Sequence, residues 1–226
     1  ALVKPFLQGF GFQHHSQPKV ISISQTTELG TVYTPEEITA LADLAHRHQM
    51  YLHMDGSRLA NAAAYLDLSL DSITVKAGVD ALSFGGTKNG MLMGEAVVFF
   101  HPEQAENFMY IRKQSMQLFS KGRYVAAQYL AYLENDLWLD NARYANAMAR
   151  YLAVETRDIP GVTITQKVES NAVFAIIPEK AREKLAEKHF FYTWDEATGE
   201  VRWMCSFNTS ESHIDAFVND LKTTLL

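Results

Sequence analysis

The 226-residue chain is 47% apolar and 20% charged with a formal net charge of −6, values that suit one large domain or a large domain with a small companion. That balance excludes a general attraction to nucleic acid or an anionic membrane, and no apolar run approaches the ~20 residues needed to span a bilayer. The single cysteine, Cys205, excludes an internal disulfide and suits a reducing compartment; with no signal-peptide pattern at the start, a cytoplasmic protein is expected.

Residues 1–17 read as a short helix and loop, with the adjacent pair His14 and His15 solvated. Residues 19–24 (KVISIS) read as a buried strand, followed by the turn Gln25-Thr26-Thr27-Glu28 before Gly30. Thr34-Pro35-Glu36-Glu37 is a helix start in which Thr34 caps, Pro35 fits the first turn and Glu37 completes a capping box. Ile38, Leu41, Leu44 and Ala45 give that helix an apolar stripe for one face of a sheet. His46 and His48 read as its solvated last turn. No cysteine or carboxylate set completes a zinc site with His53, so no metal is expected.

Residues 51–54 form the next strand, closed by Asp55 in HMDGSR, and residues 57–78 read as helix and irregular connection. Residues 80–84 form a further strand, which delivers Ser83, Thr87 and Lys88 in SFGGTKNG. Asn89, Gly90 and Gly94 let the backbone turn tightly into a third apolar run ending at Phe100. Short apolar runs closed by Gly-flanked turns, with helix-like sequence between them, predict parallel strands of an α/β sheet. Ligands of such sheets sit outside the carboxyl ends of the strands, where Asp55 and Lys88 fall. An acid and an amine there suit pyridoxal 5'-phosphate (PLP): the lysine can hold its aldehyde covalently, and the aspartate can pair with its pyridinium nitrogen. Plainer readings stand beside this one. An Asp before Gly serves as a turn or cap residue, and a Lys in a Gly-rich loop is commonly solvated. GGTKNG also lacks the spacing of a phosphate-binding P-loop.

From Pro102 the pattern turns helical. One helix opens at Pro102, another covers about residues 124–137, and the basic loop RKQSMQLFSKGR with Arg112, Lys113, Lys121 and Arg123 lies between them. Residues 139–157 form a long helix whose Tyr144, Met148, Tyr151 and Leu152 read as core packing. The tail predicts strands at 162–165 and 172–177, a helix at 178–189, a strand, a turn at Thr198-Gly199, a strand at 201–207 and a helix at 210–225. Arg202 sits in the last of these strands.

HMDGSRLANA, VDALSFGGTKNG and GEAVVFF, in that order, resemble the core of the threonine aldolases, within the β-eliminating lyase group of fold-type I PLP enzymes. The resemblance implies an α/β, fold-type I PLP-dependent transferase-like architecture. Residues 1–140 would be the remainder of a large, mostly parallel sheet domain lacking its N-terminal part, and residues 141–226 a small C-terminal α+β domain. It implies PLP-dependent cleavage of a β-hydroxy-α-amino acid such as threonine to glycine and an aldehyde. Two rivals stand: a PLP-dependent β-eliminating lyase acting on an aromatic or thiol-bearing amino acid, and a non-catalytic fragment or oligomerisation partner.

By the same resemblance Lys88 holds the cofactor and Asp55 faces its ring nitrogen. Arg58 lies by the cofactor and the substrate, Arg202 clamps the substrate carboxylate, and Ser83 and Thr87 line the cofactor. For Arg58 the rival role is a surface salt bridge, and for Arg202 a cross-strand ion pair. Thr26 and Thr27 contact the cofactor or serve only their turn. Lys113 and Lys121 hold the phosphate, partly across a dimer interface, or belong to a solvated loop; the basic stretch departs from the Gly-rich sequence of many threonine aldolases here. A Gly-rich phosphate turn and a ring stacked on the cofactor are expected upstream and are not assigned. The implied partners are a small-molecule amino-acid substrate and further copies of the chain, as a homodimer or homotetramer, with no nucleic acid and no membrane.

Overall fold

Alternation of side chains along the first strands decides which way the sheet faces. In the computed structural model, which describes residues 3–225, β1 (Val20–Ser24), β2 (Tyr51–Gly56) and β3 (Ala81–Gly85) pair in parallel. β4 (Glu95–Phe99) completes the order β1-β2-β3-β4 but runs antiparallel to β3. This fits the tight turn that Asn89, Gly90 and Gly94 make into the third apolar run, and it leaves the sheet mostly parallel. Residues 86–94 are too few for a parallel crossover, which takes a dozen or more.

Ile21, Ile23, Leu52, Met54, Leu82 and Phe84 point to one face and are buried. α1 (Pro35–Arg47) and α2 (Leu59–Leu66) cover that face with Ile38, Ala42, Ala45, Leu59, Ala62 and Ala63, and all of these residues share one core. The predicted capping box is present: Glu37 N–H donates to Thr34 Oγ1 at 3.3 Å and Thr34 N–H to Glu37 Oε2 at 2.9 Å, a pairing worth about 1 kcal/mol. His46 is not merely solvated, because its Nε2 hydrogen-bonds the buried carboxylate of Asp80 at 2.9 Å. That contact fastens the end of α1 to the start of β3. The opposite sheet face carries Val20, Ser22, Tyr51, His53, Asp55 and Ser83, exposed or half-buried. The polar residues of interest stand on that side.

α3 (Phe108–Gln114) and α4 (Arg123–Leu133) lead into α5 (Leu137–Thr156). α5 passes through position 140 without a break and serves two cores. Trp138 and Ala142 belong to the first, and Met148, Ala149 and Leu152 to the second. Of the predicted stripe, Tyr144 is exposed, because it falls on the outer side of the helix where the two cores hand over. The second sheet is wholly antiparallel. It contains β5 (Thr163–Ile164), β6 (Ala172–Ile176), β7 (Tyr192–Asp195) and β8 (Glu200–Met204) in the order β5-β6-β8-β7. α6 (Glu179–Ala186) and α7 (Glu211–Leu225) pack Leu185, Ile214, Val218 and Leu221 against Val173, Ala175, Val201 and Trp203. The other face holds Phe174, Arg202 and Tyr192 side by side across three strands. Among the described residues no helix is long and apolar enough to cross a membrane.

Candidate active site

Asp55 is the last side chain that β2 offers on its polar face, since Gly56 follows it. Its Oδ1 accepts the Ser57 N–H at 2.9 Å, and its carbonyl accepts the Gln25 N–H at 2.8 Å, which ties the turn after β1 to the end of β2. Among the described residues Oδ2 makes no hydrogen bond, so half of the carboxylate is left for a ligand donor.

The loop after β3 presents Lys88. Gly85 permits a close approach: a Cβ there would lie 2.6 Å from Glu95 Oε2 and 3.0 Å from Ser57 Cα. Gly90 adopts φ of +116°, a region that side chains disfavour, and a Cβ would meet the Asn141 amide at 2.5 Å. Thr87 Oγ1 accepts the Gly94 N–H at 3.0 Å and donates to the Gly94 carbonyl at 3.3 Å, closing the loop on itself. Buried Asn89 anchors it from below, donating to Tyr132 Oη and the Trp138 carbonyl, each at 2.8 Å. Lys88 Nζ reaches Ser57 Oγ at 3.3 Å, beside the Asp55 turn. Burial lowers the Lys88 pKa below its usual value, and the Arg58 guanidinium adds to this; Asp55, Glu95 and Glu28 pull the other way.

Arg58 opens α2 three residues after Asp55 and is half-buried, with Nε hidden and unpartnered. Burial lowers its pKa first and the neighbouring Arg202 second, while Glu28 and Asp55 offset them. Arg202 comes from the second sheet, and the loop after β1 brings the two sheets together. In that loop Val32 N–H donates to Glu169 Oε2 at 2.8 Å, and Ser170 Oγ donates to the Gly30 carbonyl at 2.9 Å. Buried Gln25 holds the loop's shape through both backbone groups of Tyr33. Glu28, 65% exposed on this loop, stands 3.9 Å from Arg202, whose side chain is 15% exposed.

The fold therefore links Asp55, Lys88 and Arg202 through Arg58, which acts on all three. Other predicted residues fall differently. Ser83 lies next to Asp55 in register but hydrogen-bonds His53 Nε2 at 3.0 Å, and His53 Nδ1 in turn meets Ser22 Oγ at 2.8 Å. Thr26 is buried, and Thr27 Oγ1 is engaged by Thr31 at 2.7 Å within its own turn. Lys113 and Lys121 are exposed and are not among the charges that act on Lys88. Sequence reasoning gave no role to Ser57, Glu28, Glu95 or the anchoring amide of Asn89. Ser57 and Glu95 do sit inside or beside the quoted motifs, a signal that was available; Glu28 gains its role from segments distant in the chain, through its approach to Arg202 and its pull on Arg58 and Lys88.

Such a set has a definite chemical capacity. An amine of lowered pKa offers more of its neutral, nucleophilic form near neutrality than an ordinary lysine does. A carboxylate with a free oxygen suits a protonated ring nitrogen, and two guanidinium groups suit a carboxylate. These donors fit an aldehyde-bearing pyridine such as PLP, which needs the first two together.

The family model described as beta-eliminating lyase matches residues 3–180. Low specificity L-threonine aldolases of Pseudomonas aeruginosa and Pseudomonas sp. (strain NCIMB 10558) are each 42% identical over 213 residues, covering 94% of this chain and 61% of theirs. The chain thus spans about three-fifths of the length of these curated relatives. The structure of Leishmania major threonine aldolase superposes with a TM-score of 0.86 at 28% identity, over 95% of this chain and 63% of that one. A putative L-allo-threonine aldolase from Listeria monocytogenes shares the fold at a TM-score of 0.69 and 16% identity, over 95% and 63%.

Proposed function

The chain belongs to the β-eliminating lyase family, and on that premise we propose that the protein is a PLP-dependent carbon–carbon lyase that cleaves a β-hydroxy-α-amino acid, such as threonine, to glycine and an aldehyde. The observation that carries the reading is the meeting of Lys88, its pKa lowered, with the half-free carboxylate of Asp55 and the two guanidiniums of Arg58 and Arg202. The threonine aldolases among its relatives favour the aldolase over elimination.

Lys88 would hold PLP covalently, Asp55 would keep a proton at its ring nitrogen, and Thr26, Thr27, Ser83 and Thr87 stand on the surrounding turns and strand. When bound, PLP supplies an electrophilic aldehyde for the substrate amine and a ring that delocalises the electron pair released on Cα–Cβ cleavage. The chain's own residues do the rest. Arg202 binds the substrate carboxylate with Arg58 beside it, since a guanidinium matches a carboxylate through two parallel hydrogen bonds. Fixing the carboxylate orients the three other bonds at Cα, and that orientation selects the bond that breaks. Asp55, beside Arg58, would accept the hydrogen bond of the ring-nitrogen proton.

We assign the assembly as a homodimer or a dimer of dimers, in which Lys113 and Lys121 reach a phosphate across the two-fold axis. The buried thiol of Cys205, its pKa pushed up to about 12 by burial, suits a reducing cytoplasm. The test is chemical. Borohydride reduction of the cofactor-loaded protein, followed by peptide mapping, should find the pyridoxyl label on Lys88. A label on another lysine would overturn the assignment, and turnover of tyrosine or cysteine in preference to threonine would overturn the reaction.

A further inference from the structure

We infer that Trp194 is a positioning residue for the carboxylate clamp, its indole fixing the plane of the Arg202 guanidinium. This rests on the reading of Arg202 as the clamp and adds the device that orients it.

β7 pairs with β8 through Tyr192 opposite Arg202 and Thr193 opposite Val201, but Asp195 then stands opposite Glu200. The register slips by one residue, and Trp194 is the residue left over. Strict pairing would have put Trp194 opposite Glu200. The irregularity releases it, and its ring lies under the Arg202 guanidinium, 4.5 Å from Cζ to the ring centroid. Bulges re-aim side chains in this way next to functional sites. Tyr192, directly across the ladder, adds a second ring at 5.3 Å. Trp194 is itself held, because its ring meets that of Phe174 in a T-shaped pair at 5.5 Å and 82°, and Phe174 is fully buried on Arg202's other flank.

The consequence for Arg202 is geometric. Its Nε is buried without a partner, and among the described residues its one ion pair is the long contact from Nη1 to exposed Glu28. Among the described residues no close carboxylate sets the guanidinium plane, so the rings do. With a face stacked and Nε hidden, only the terminal Nη edge is offered, the edge that takes a carboxylate through two hydrogen bonds. A cation over an indole is attracted by the negative face of the ring, so the stack also offsets the repulsion from Arg58.

The experiment compares Trp194→Leu, Trp194→Phe and Arg202→Lys with wild type in the intact, cofactor-loaded protein. It measures KM and kcat for threonine, and equilibrium binding of glycine and of glycinamide, which lacks the carboxylate, by calorimetry. Trp194→Leu stays apolar but removes the π face; it should raise KM and weaken glycine about three- to thirtyfold, with glycinamide binding unchanged. Trp194→Phe should recover most of the loss. Equal weakening of glycine and glycinamide would overturn the inference, as would wild-type glycine binding by Trp194→Leu while Arg202→Lys is impaired. Unimpaired Arg202→Lys would instead overturn the clamp reading beneath it.

Discussion

At the scale of single residues, the site works by making one charge uncomfortable and another useful. Lys88 is the uncomfortable one, since burial and Arg58 oppose its protonation. A lysine whose folded pKa lies below its ordinary value binds fewer protons in the folded state than in the unfolded one through that window. Stability therefore rises with pH from the lowered value up to about 10.5, and the penalty is fully present below it. In cofactor-free protein, Lys88→Met should melt above wild type at pH 7, with a gap that narrows as pH approaches 10.5. Thermal melts at pH 7 and pH 10 measure this, and a gap that widens with pH would contradict the assignment. Asp55 is the useful charge. Its Oδ1 is spent on the Ser57 N–H and its Oδ2 is free, so Asp55→Ala should remain folded, retain the Lys88 label and lose at least about a hundredfold in kcat. Near-wild-type kcat would mean that another group keeps the ring nitrogen protonated.

At the scale of elements, the loop between β3 and β4 is held by one buried amide. Asn89 satisfies Tyr132 Oη and the Trp138 carbonyl and so ties the lysine loop to α4 and α5. Asn89→Ala leaves both partners unpaired in the core, at a cost of about 1–3 kcal/mol, or about 2–12 °C in Tm for a chain of this size. Because the loop carries Lys88, kcat should fall with Tm; a normal Tm with normal kcat would remove the anchor from the argument. The strand ends bearing Asp55 and Lys88 could be read in advance because each motif is local: an apolar run, a polar residue, then glycine. The capping box of α1 was readable for the same reason. The anchoring role of Asn89, the swing of Glu28 toward Arg202 and the slip at Trp194 were not, since each is fixed by pairing with a segment distant in the chain. The antiparallel sense of β4 lies between these cases, because the tight turn at residues 89–94 is local but the pairing with β3 that fixes the sense is not.

At the scale of the whole molecule, the apolar surface is unevenly spread. Met109, Tyr110, Ile111, Phe119 and Tyr124 are exposed along α3, the basic loop and α4, with Met116 at 91% and Leu130 at 73%. Exposed apolar side chains grouped along one stretch of chain make this a candidate interaction site. The homodimer proposed above would cover this face, with Arg112, Lys113, Lys121 and Arg123 interleaved in it. Such cover favours self-association through that face and gives the basic loop a route to the neighbouring site. Met116→Asp and Leu130→Asp place a charge where the interface would desolvate it, and should weaken association at least about tenfold. Sedimentation at assay concentration should show the variants shifting toward half the wild-type mass, with cofactor affinity falling in step. Phe190, equally exposed but on the second sheet's side of the molecule, supplies the control, since Phe190→Asp should leave mass and affinity unchanged. An active wild-type monomer would remove the second copy from the site, whereas dissociation without loss of cofactor would keep the dimer but return Lys113 and Lys121 to solvent.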